Sequence, residues 1–115
     1  MSDPFSTAVE RLSRVPGVRG ALIAEAEAGV PVASELMEGV NGAAVAALAA
    51  SMFRRLHKAG EASGFGALTT LQLEADDGHV VVTGAGDLVL VTVADRDAQV
   101  GMVRLEALRA AETLA

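Results

Sequence analysis

The residues that could carry out acid–base or metal chemistry are few and lie far apart along the chain. His57 and His79 are the only two histidines, and the surrounding patterns place the first in a helix and the second just after a turn. Asp95 and Asp97 could in principle hold a divalent ion through their carboxylates. Helix capping explains both aspartates more simply, because a short acidic side chain before a helix accepts hydrogen bonds from its first amides. We therefore predict no catalytic residue and no metal site.

One short segment, Gly84-Ala85-Gly86, resembles a fragment of a nucleotide-binding fingerprint. It lacks the third glycine of that fingerprint, and it joins two predicted strands instead of opening a helix. The sequence also contains no GxxxxGK[ST] phosphate-binding loop, so we expect no nucleotide hydrolysis by this chain. The absence of cysteine removes thiolate chemistry, disulfides and Cys-based zinc sites. The sequence thus indicates a protein that is not an enzyme and needs no cofactor.

Charge and composition limit the classes of partner. The net charge of −6 argues against nucleic acid, because binding to phosphates draws its affinity from clustered lysine and arginine. Three phenylalanines, without tryptophan or tyrosine, provide no stacking platform for single strands. The N-terminal segment lacks the pattern of a signal peptide, and no apolar run is long enough to insert into a bilayer, so we expect a cytoplasmic protein. A length of 115 residues predicts a single domain, residues 1–115, with one core.

Hydrophobic periodicity predicts three helices and five strands in the order αββαβββα. Apolar residues recur at helical spacing after Asp3-Pro4, along residues 41–64 behind an Asn41 cap, and after a cap at Asp95 or Asp97. The pair Asp77-Gly78 predicts a type I′ turn between the third and fourth strands, because both central positions of that turn need positive φ. The predicted strands are Val18–Ala24, Val30–Glu35, Leu68–Ala75, His79–Thr83 and Leu88–Ala94.

The polarity of the strands predicts their order in the sheet. Residues 18–24 and 88–94 have no polar face, so these two strands should pair in the middle. Pro31 cannot donate a ladder hydrogen bond, and residues 68–75 alternate between apolar and polar, so both of these strands should be edges. The predicted fold is α+β, with a five-stranded antiparallel sheet of order 2-1-5-4-3. The long helix should cover one face and the two terminal helices the other.

The long helix is apolar over more than half of its circumference. One stripe should face the sheet, and it consists of Val45, Leu48, Ala49, Met52, Leu56 and Ala59. Beside it runs a second strip made of Ala46, Ala50 and Phe53, with His57 below. A chain this short has little material to cover both, so we predict that the second strip meets a partner chain. The alternative is a helix enclosed entirely within its own domain.

A basic cluster lies on the remaining flank of the same helix, at Arg54, Arg55 and Lys58. It is either an ordinary solvated face or a surface that steers an acidic partner.

The order of elements, taken with three segments, resembles the roadblock family of dynein light-chain-like domains, and especially its prokaryotic MglB-like branch. The segments are VPGVRGA at residues 15–21, GVPVAS at residues 29–34 and GMVRLE at residues 101–106. The resemblance covers essentially the whole chain and implies a profilin-like fold. Glu27-Ala28-Gly29 departs from the Asp-Gly turn that such proteins often carry, which affects that turn alone.

The resemblance implies a homodimer in which the long helices lie side by side and the third strands join edge to edge. It also implies a non-catalytic scaffold that binds a small Ras-like GTPase in cell polarity, motility or signalling, and that in some members stimulates GTP hydrolysis. The residues expected to face the GTPase are Arg54, Arg55 and Lys58. The alternative is a small-molecule or signal-sensing module of profilin-like or PAS-like architecture, which would need a pocket with converging polar groups. The expected dimer interface comprises Ala43, Ala46, Ala50, Phe53, His57, Thr70 and Gln72.

Overall fold

The computed structural model describes residues 3–114, which form three helices and five strands in the predicted order. The strands form one antiparallel sheet of order β2-β1-β5-β4-β3, so the predicted fold class is confirmed. The elements are α1 (Pro4–Ser13), β1 (Val18–Glu25), β2 (Pro31–Leu36), α2 (Gly42–Ala62), β3 (Thr70–Ala75), β4 (Gly78–Ala85), β5 (Leu88–Asp95) and α3 (Val100–Glu112).

Each face of the sheet has its own hydrophobic core. Helices α1 and α3 cover one face, where Val9 and Val103 pack against Ile23 and Leu90. Helix α2 covers the other face, above a cluster that includes Leu22. Strands β1 and β5 are buried on both faces, which explains why their sequences lack a polar side.

Strand β2 forms one edge of the sheet and is irregular. It begins at Pro31, which lacks a backbone donor, and its pairing with β1 shifts register between Ile23 and Ala24. Strand β3 forms the other edge and pairs with β4 without a shift from Thr70 to Ala75. Both predicted edges are therefore confirmed.

The caps of the first two helices are the predicted ones. The amide and hydroxyl of Ser6 donate to the Asp3 carboxylate at 2.9 and 3.0 Å, which holds the pKa of Asp3 below its ordinary value. The Asn41 side chain accepts a hydrogen bond from the Ala44 amide at 3.1 Å. Both side chains satisfy amides that the first turn of a helix leaves unpaired.

The predicted cap of α3 is wrong. Its N-cap is Gln99, and the Gln99 side chain forms no capping hydrogen bond within the described part of the chain. Asp95 instead ends β5, and Asp97 lies in the turn that follows it. Residues 96–98 and the N-cap Gln99 therefore separate Asp95 from the first residue of α3, Val100.

The predicted type I′ turn between β3 and β4 is also wrong. Ala75 pairs with Gly78, so Asp76 and Asp77 form the loop. Across residues 3–114, positive φ occurs only at glycines, and Gly78 is not one of them. Gly78 serves a different purpose, because a Cβ there would lie 2.5 Å from the carbonyl oxygen of Ala94. The neighbouring strand, and not the turn, requires this glycine.

A second glycine in β4, Gly84, leaves space for the ring of Phe53 from α2. This contact supports a prediction. A Cβ at Gly84 of β4 would lie 2.8 Å from Cζ of Phe53. We expect Gly84→Ala to lower the free energy of unfolding by about 1–3 kcal/mol, because the buried ring must move. Gly101→Ala in α3 is the matched control, since its Cβ would meet nothing within 4 Å. It should be neutral or stabilise by up to about 1 kcal/mol. Urea denaturation measures both variants, and equal losses would contradict this account.

Candidate interaction surface

The structure reverses the predicted faces of α2. Ala46 and Ala50 are fully buried and Phe53 is 8% exposed, all within the core between α2 and the sheet. The prediction that these three residues meet a partner chain is therefore wrong. The physical reason is packing: the small alanines let the helix approach the sheet closely, and Gly84 leaves space for the one large ring.

The stripe predicted to face the sheet is the one that lacks cover within residues 3–114. Leu48 is 56% exposed and Leu56 is 42% exposed. Ala49 belongs to the core and is not part of this surface, since it is 2% exposed. Val45 and Met52 are half-buried at the margin of the core, and Ala59 is exposed. We call Val45, Leu48, Met52, Leu56 and Ala59 the α2 stripe.

His57 holds the connection between α2 and β3, a role that the sequence did not indicate. Its Nδ1 accepts a hydrogen bond from the Leu68 amide at 3.1 Å. The ring hydrogen of neutral His57 therefore lies on Nε2, which is 3.2 Å from Oε1 of Glu61. The ring also stacks on Phe53 with centroids 6.4 Å apart. These contacts fix the residues that lead into the sheet edge.

The remaining predicted interface residues lie at accessible positions. Ala43, in the first turn of α2, and Gln72, in β3, are exposed, whereas Thr70 is half-buried. Within residues 3–114, β3 pairs on one side only, with β4. The outer side of β3 is thus an unpaired edge, and contact with a partner there stays a prediction.

The basic cluster on α2 has two exposed residues and not three. Nη1 of Arg54 donates to the carbonyl oxygen of Ala26 at 2.7 Å, which ties this arginine to the turn between β1 and β2. Arg55 and Lys58 are exposed and form no ion pair among the described residues. On the helix surface Arg55 neighbours Met52 and Ala59, at spacings of three and four residues, so it borders the α2 stripe.

The structure keeps the candidate catalytic residues apart. His79 is 7% exposed in β4, on the sheet face opposite α2, with Nε2 3.2 Å from the carbonyl oxygen of Arg96. Asp95 forms an ion pair with Arg19 at 3.6 Å. Within the described residues, no three histidine or acidic side chains converge as metal ligands would. None of the helices there has the length and apolar character needed to cross a membrane.

A cleft of about 900 Å³ lies between the end of α1 and the turn before α3. Its lining includes Arg11 from α1, Arg14 at the C-cap of α1, Arg96 and Asp97 from the turn, and Met102 from α3. Both signs of charge occur in it, so it favours neither an anion nor a cation on charge alone.

The family follows from one comparison. The model of the Roadblock/LC7 domain matches residues 5–94. The chain belongs to the Roadblock/LC7 family. The uncharacterized protein MJ1340 of Methanocaldococcus jannaschii is 27% identical to this roadblock domain over 103 residues, which cover 90% of each chain.

Two solved structures of MglB are similar to this roadblock domain. The gliding protein MglB from Thermus thermophilus is 24% identical with a TM-score of 0.84, and the alignment covers 100% of this chain and 90% of that one. A structure of MglB with a tetrameric arrangement is 26% identical, with the same TM-score and coverage. The likeness supports a roadblock domain of the MglB-like type.

Proposed function

We propose that this roadblock domain is a non-catalytic homodimeric scaffold that binds and regulates a small Ras-like GTPase. The observation that carries the proposal is the α2 stripe, an uncovered apolar surface on the longest helix of a chain that belongs to the Roadblock/LC7 family. The roadblock resemblance implies side-by-side long helices, and the stripe supplies the apolar surface that such a contact requires.

The proposed dimer uses the α2 stripe and the outer edge of β3 together. His57 of α2 accepts a hydrogen bond from the amide of Leu68, two residues before β3, so the C-terminal half of α2 lies near the start of this edge strand. A two-fold axis would place each surface against its own copy, as is usual for homodimers. In this arrangement the central contacts are Leu48 and Leu56, and not Ala46, Ala50 and Phe53, which are buried. Of the predicted positions that stay accessible, Ala43 and His57 lie on α2, and Thr70 and Gln72 lie on β3.

Arg55 and Lys58 are the proposed contacts with the GTPase. Both are exposed, and they carry positive charge in a protein with a net charge of −6. Dimerisation through the α2 stripe would bring two such pairs onto one assembly, where they would steer an acidic partner surface. Arg54 is left out of this group, because its guanidinium donates a hydrogen bond to the carbonyl oxygen of Ala26.

A binding assay tests the proposal. A Ras-like GTPase from the same organism, loaded with GDP or with a non-hydrolysable GTP analogue, is passed over the immobilised roadblock domain. We expect retention of the GTP-analogue form. Replacing Arg55 and Lys58 together by glutamate should raise Kd by about tenfold or more at low salt. Arg104→Glu, at an exposed site on α3, is the control and should bind normally. Absence of retention in both nucleotide states would refute GTPase binding.

The second candidate function, a small-molecule sensor, rests on the cleft between α1 and the turn before α3. Its volume of about 900 Å³ lies within the size range of ligand pockets. Its mixed charges give no preferred ligand class, and the α2 stripe has no role in this alternative. The scaffold function therefore accounts for more of the structure.

A further inference from the structure

A second cleft, of about 660 Å³, lies where the turn between β3 and β4 approaches the turn before α3. Its volume is within the range of ligand pockets. Four carboxylates and one guanidinium line it, those of Glu74, Asp76, Asp77, Asp97 and Arg96. All five side chains belong to exposed residues, and within the described part of the chain Arg96 forms no ion pair with any of the four acids. The cleft therefore carries excess negative charge, which favours a cationic ligand.

His79 adds a buried hydrogen-bond acceptor to this cleft. Its side chain is 7% exposed, and its Nε2 lies 3.2 Å from the carbonyl oxygen of Arg96. A carbonyl only accepts, so the ring hydrogen of neutral His79 lies on Nε2 and leaves Nδ1 as an acceptor. Nδ1 is buried and has no hydrogen-bond partner among residues 3–114. Buried polar atoms are rarely left unpaired, so an unpaired acceptor in a cleft of this size points to a bound donor.

The distance between Nδ1 of His79 and Oε2 of Glu74 indicates the kind of donor. The two residues lie opposite each other on β4 and β3, and these atoms are 3.9 Å apart. One nitrogen can lie about 2.9 Å from both, which is the usual length of an N–H hydrogen bond. A zinc ion fits less well, because bonds of about 2.1 Å at a tetrahedral angle hold two ligands only about 3.4 Å apart. The pair thus suits an ammonium group better than a metal ion.

We propose that this cleft binds a free linear polyamine, with one ammonium group between Nδ1 of His79 and the carboxylate of Glu74. The other carboxylates lie in the two turns, and in the described residues no three such side chains converge on one point as metal ligands would. Several ammonium groups along a flexible chain match charges that are spread along a cleft. The site is separate from the proposed GTPase contacts, because His79 lies on the sheet face opposite α2.

Calorimetric titration with spermidine, a linear triamine, at low salt tests this site. We expect saturable binding. Glu74→Gln removes one charge at an exposed position and should raise Kd by about tenfold. Glu35→Gln is the matched control, because Glu35 is an exposed glutamate on the other edge strand, β2, and the same charge is lost. This control should change Kd by less than about twofold.

A second variant tests the buried acceptor. His79→Phe removes Nδ1 but keeps an aromatic ring, and it should also raise Kd by about tenfold. Circular dichroism establishes whether this variant folds. If it does not, the Glu74→Gln titration and NMR of the unmodified chain decide the question. In the NMR titration, spermidine should shift the ring signals of His79 and leave those of His57 in place. Equal shifts at both histidines would contradict a site at His79.

The other contrary results are equally distinct. Absence of saturable spermidine binding would refute the site. Equal losses in Glu74→Gln and Glu35→Gln would mean that spermidine responds only to the overall negative charge. Binding of a trilysine peptide without binding of spermidine would assign the cleft to a protein segment, and a shift of His79 by Zn²⁺ alone would assign it to a metal ion. Either result would overturn the polyamine site. GTPase binding is measured with other variants and stands or fails separately.

Discussion

Ala50→Arg is expected to unfold the protein and not merely to separate a dimer. Ala50 is fully buried on the face of α2 that packs against the sheet, so an arginine there would both overfill the core and place an unpaired charge in it. Together these effects should cost more than about 4 kcal/mol, a large part of the roughly 5–15 kcal/mol that stabilises an ordinary domain. Circular dichroism during urea or thermal denaturation measures the loss.

Ala47→Arg is the matched control for this substitution. Ala47 lies one helical turn before Ala50 and is exposed, so the same change should alter the free energy of unfolding by less than about 1 kcal/mol. A cooperatively folded Ala50→Arg variant of near-normal stability would mean that α2 presents another face to the sheet.

Leu48→Glu is expected to give a folded monomer. Leu48 is 56% exposed in one chain, so a carboxylate there leaves the core intact. In the proposed dimer the same carboxylate would be buried without a partner. We expect dimerisation to weaken by about 3 kcal/mol, which is a factor of roughly 150 in Kd. Light scattering across a concentration series measures the assembly, and thermal denaturation confirms the fold.

Met102→Glu is the control for this second substitution. Met102 is 49% exposed on α3, on the opposite face of the sheet, so it has similar apolar character and lies outside the proposed interface. This variant should remain dimeric. If Leu48→Glu is as dimeric as Met102→Glu at micromolar concentration, the α2 stripe is not the interface.

The order of the strands could be predicted because polarity determines burial in this sheet. The two strands without a polar side lie in the middle, and Pro31 marks an edge. The orientation of α2 could not be predicted in the same way. Helical periodicity defines two neighbouring apolar strips and the angle between them, but it does not determine which strip contacts the sheet. The sequence placed Gly84 in the connection after Thr83, whereas the structure places it inside β4. A glycine inside a strand often marks a close approach such as that of Phe53, so this indication was missed.

The remaining errors arose where one residue type serves two purposes. Gly78 follows an aspartate and therefore resembles a turn glycine, yet its lack of a side chain is needed for the approach of the Ala94 carbonyl. His57 contacts Leu68, which lies eleven residues further along the chain. Neither helix nor strand periodicity predicts a contact at that separation, so the role of His57 became visible only in the folded structure.

The irregularity of β2 limits how far assembly can proceed. A sheet that gains a strand at one edge can often add further strands at the other, which is the route to fibres. Here the second edge begins with Pro31 and carries a register shift against β1, and both features oppose the addition of another strand. Joining two β3 edges therefore leaves a β2 strand at each end of the combined sheet. The predicted consequence is a closed pair that does not polymerise, even at high protein concentration.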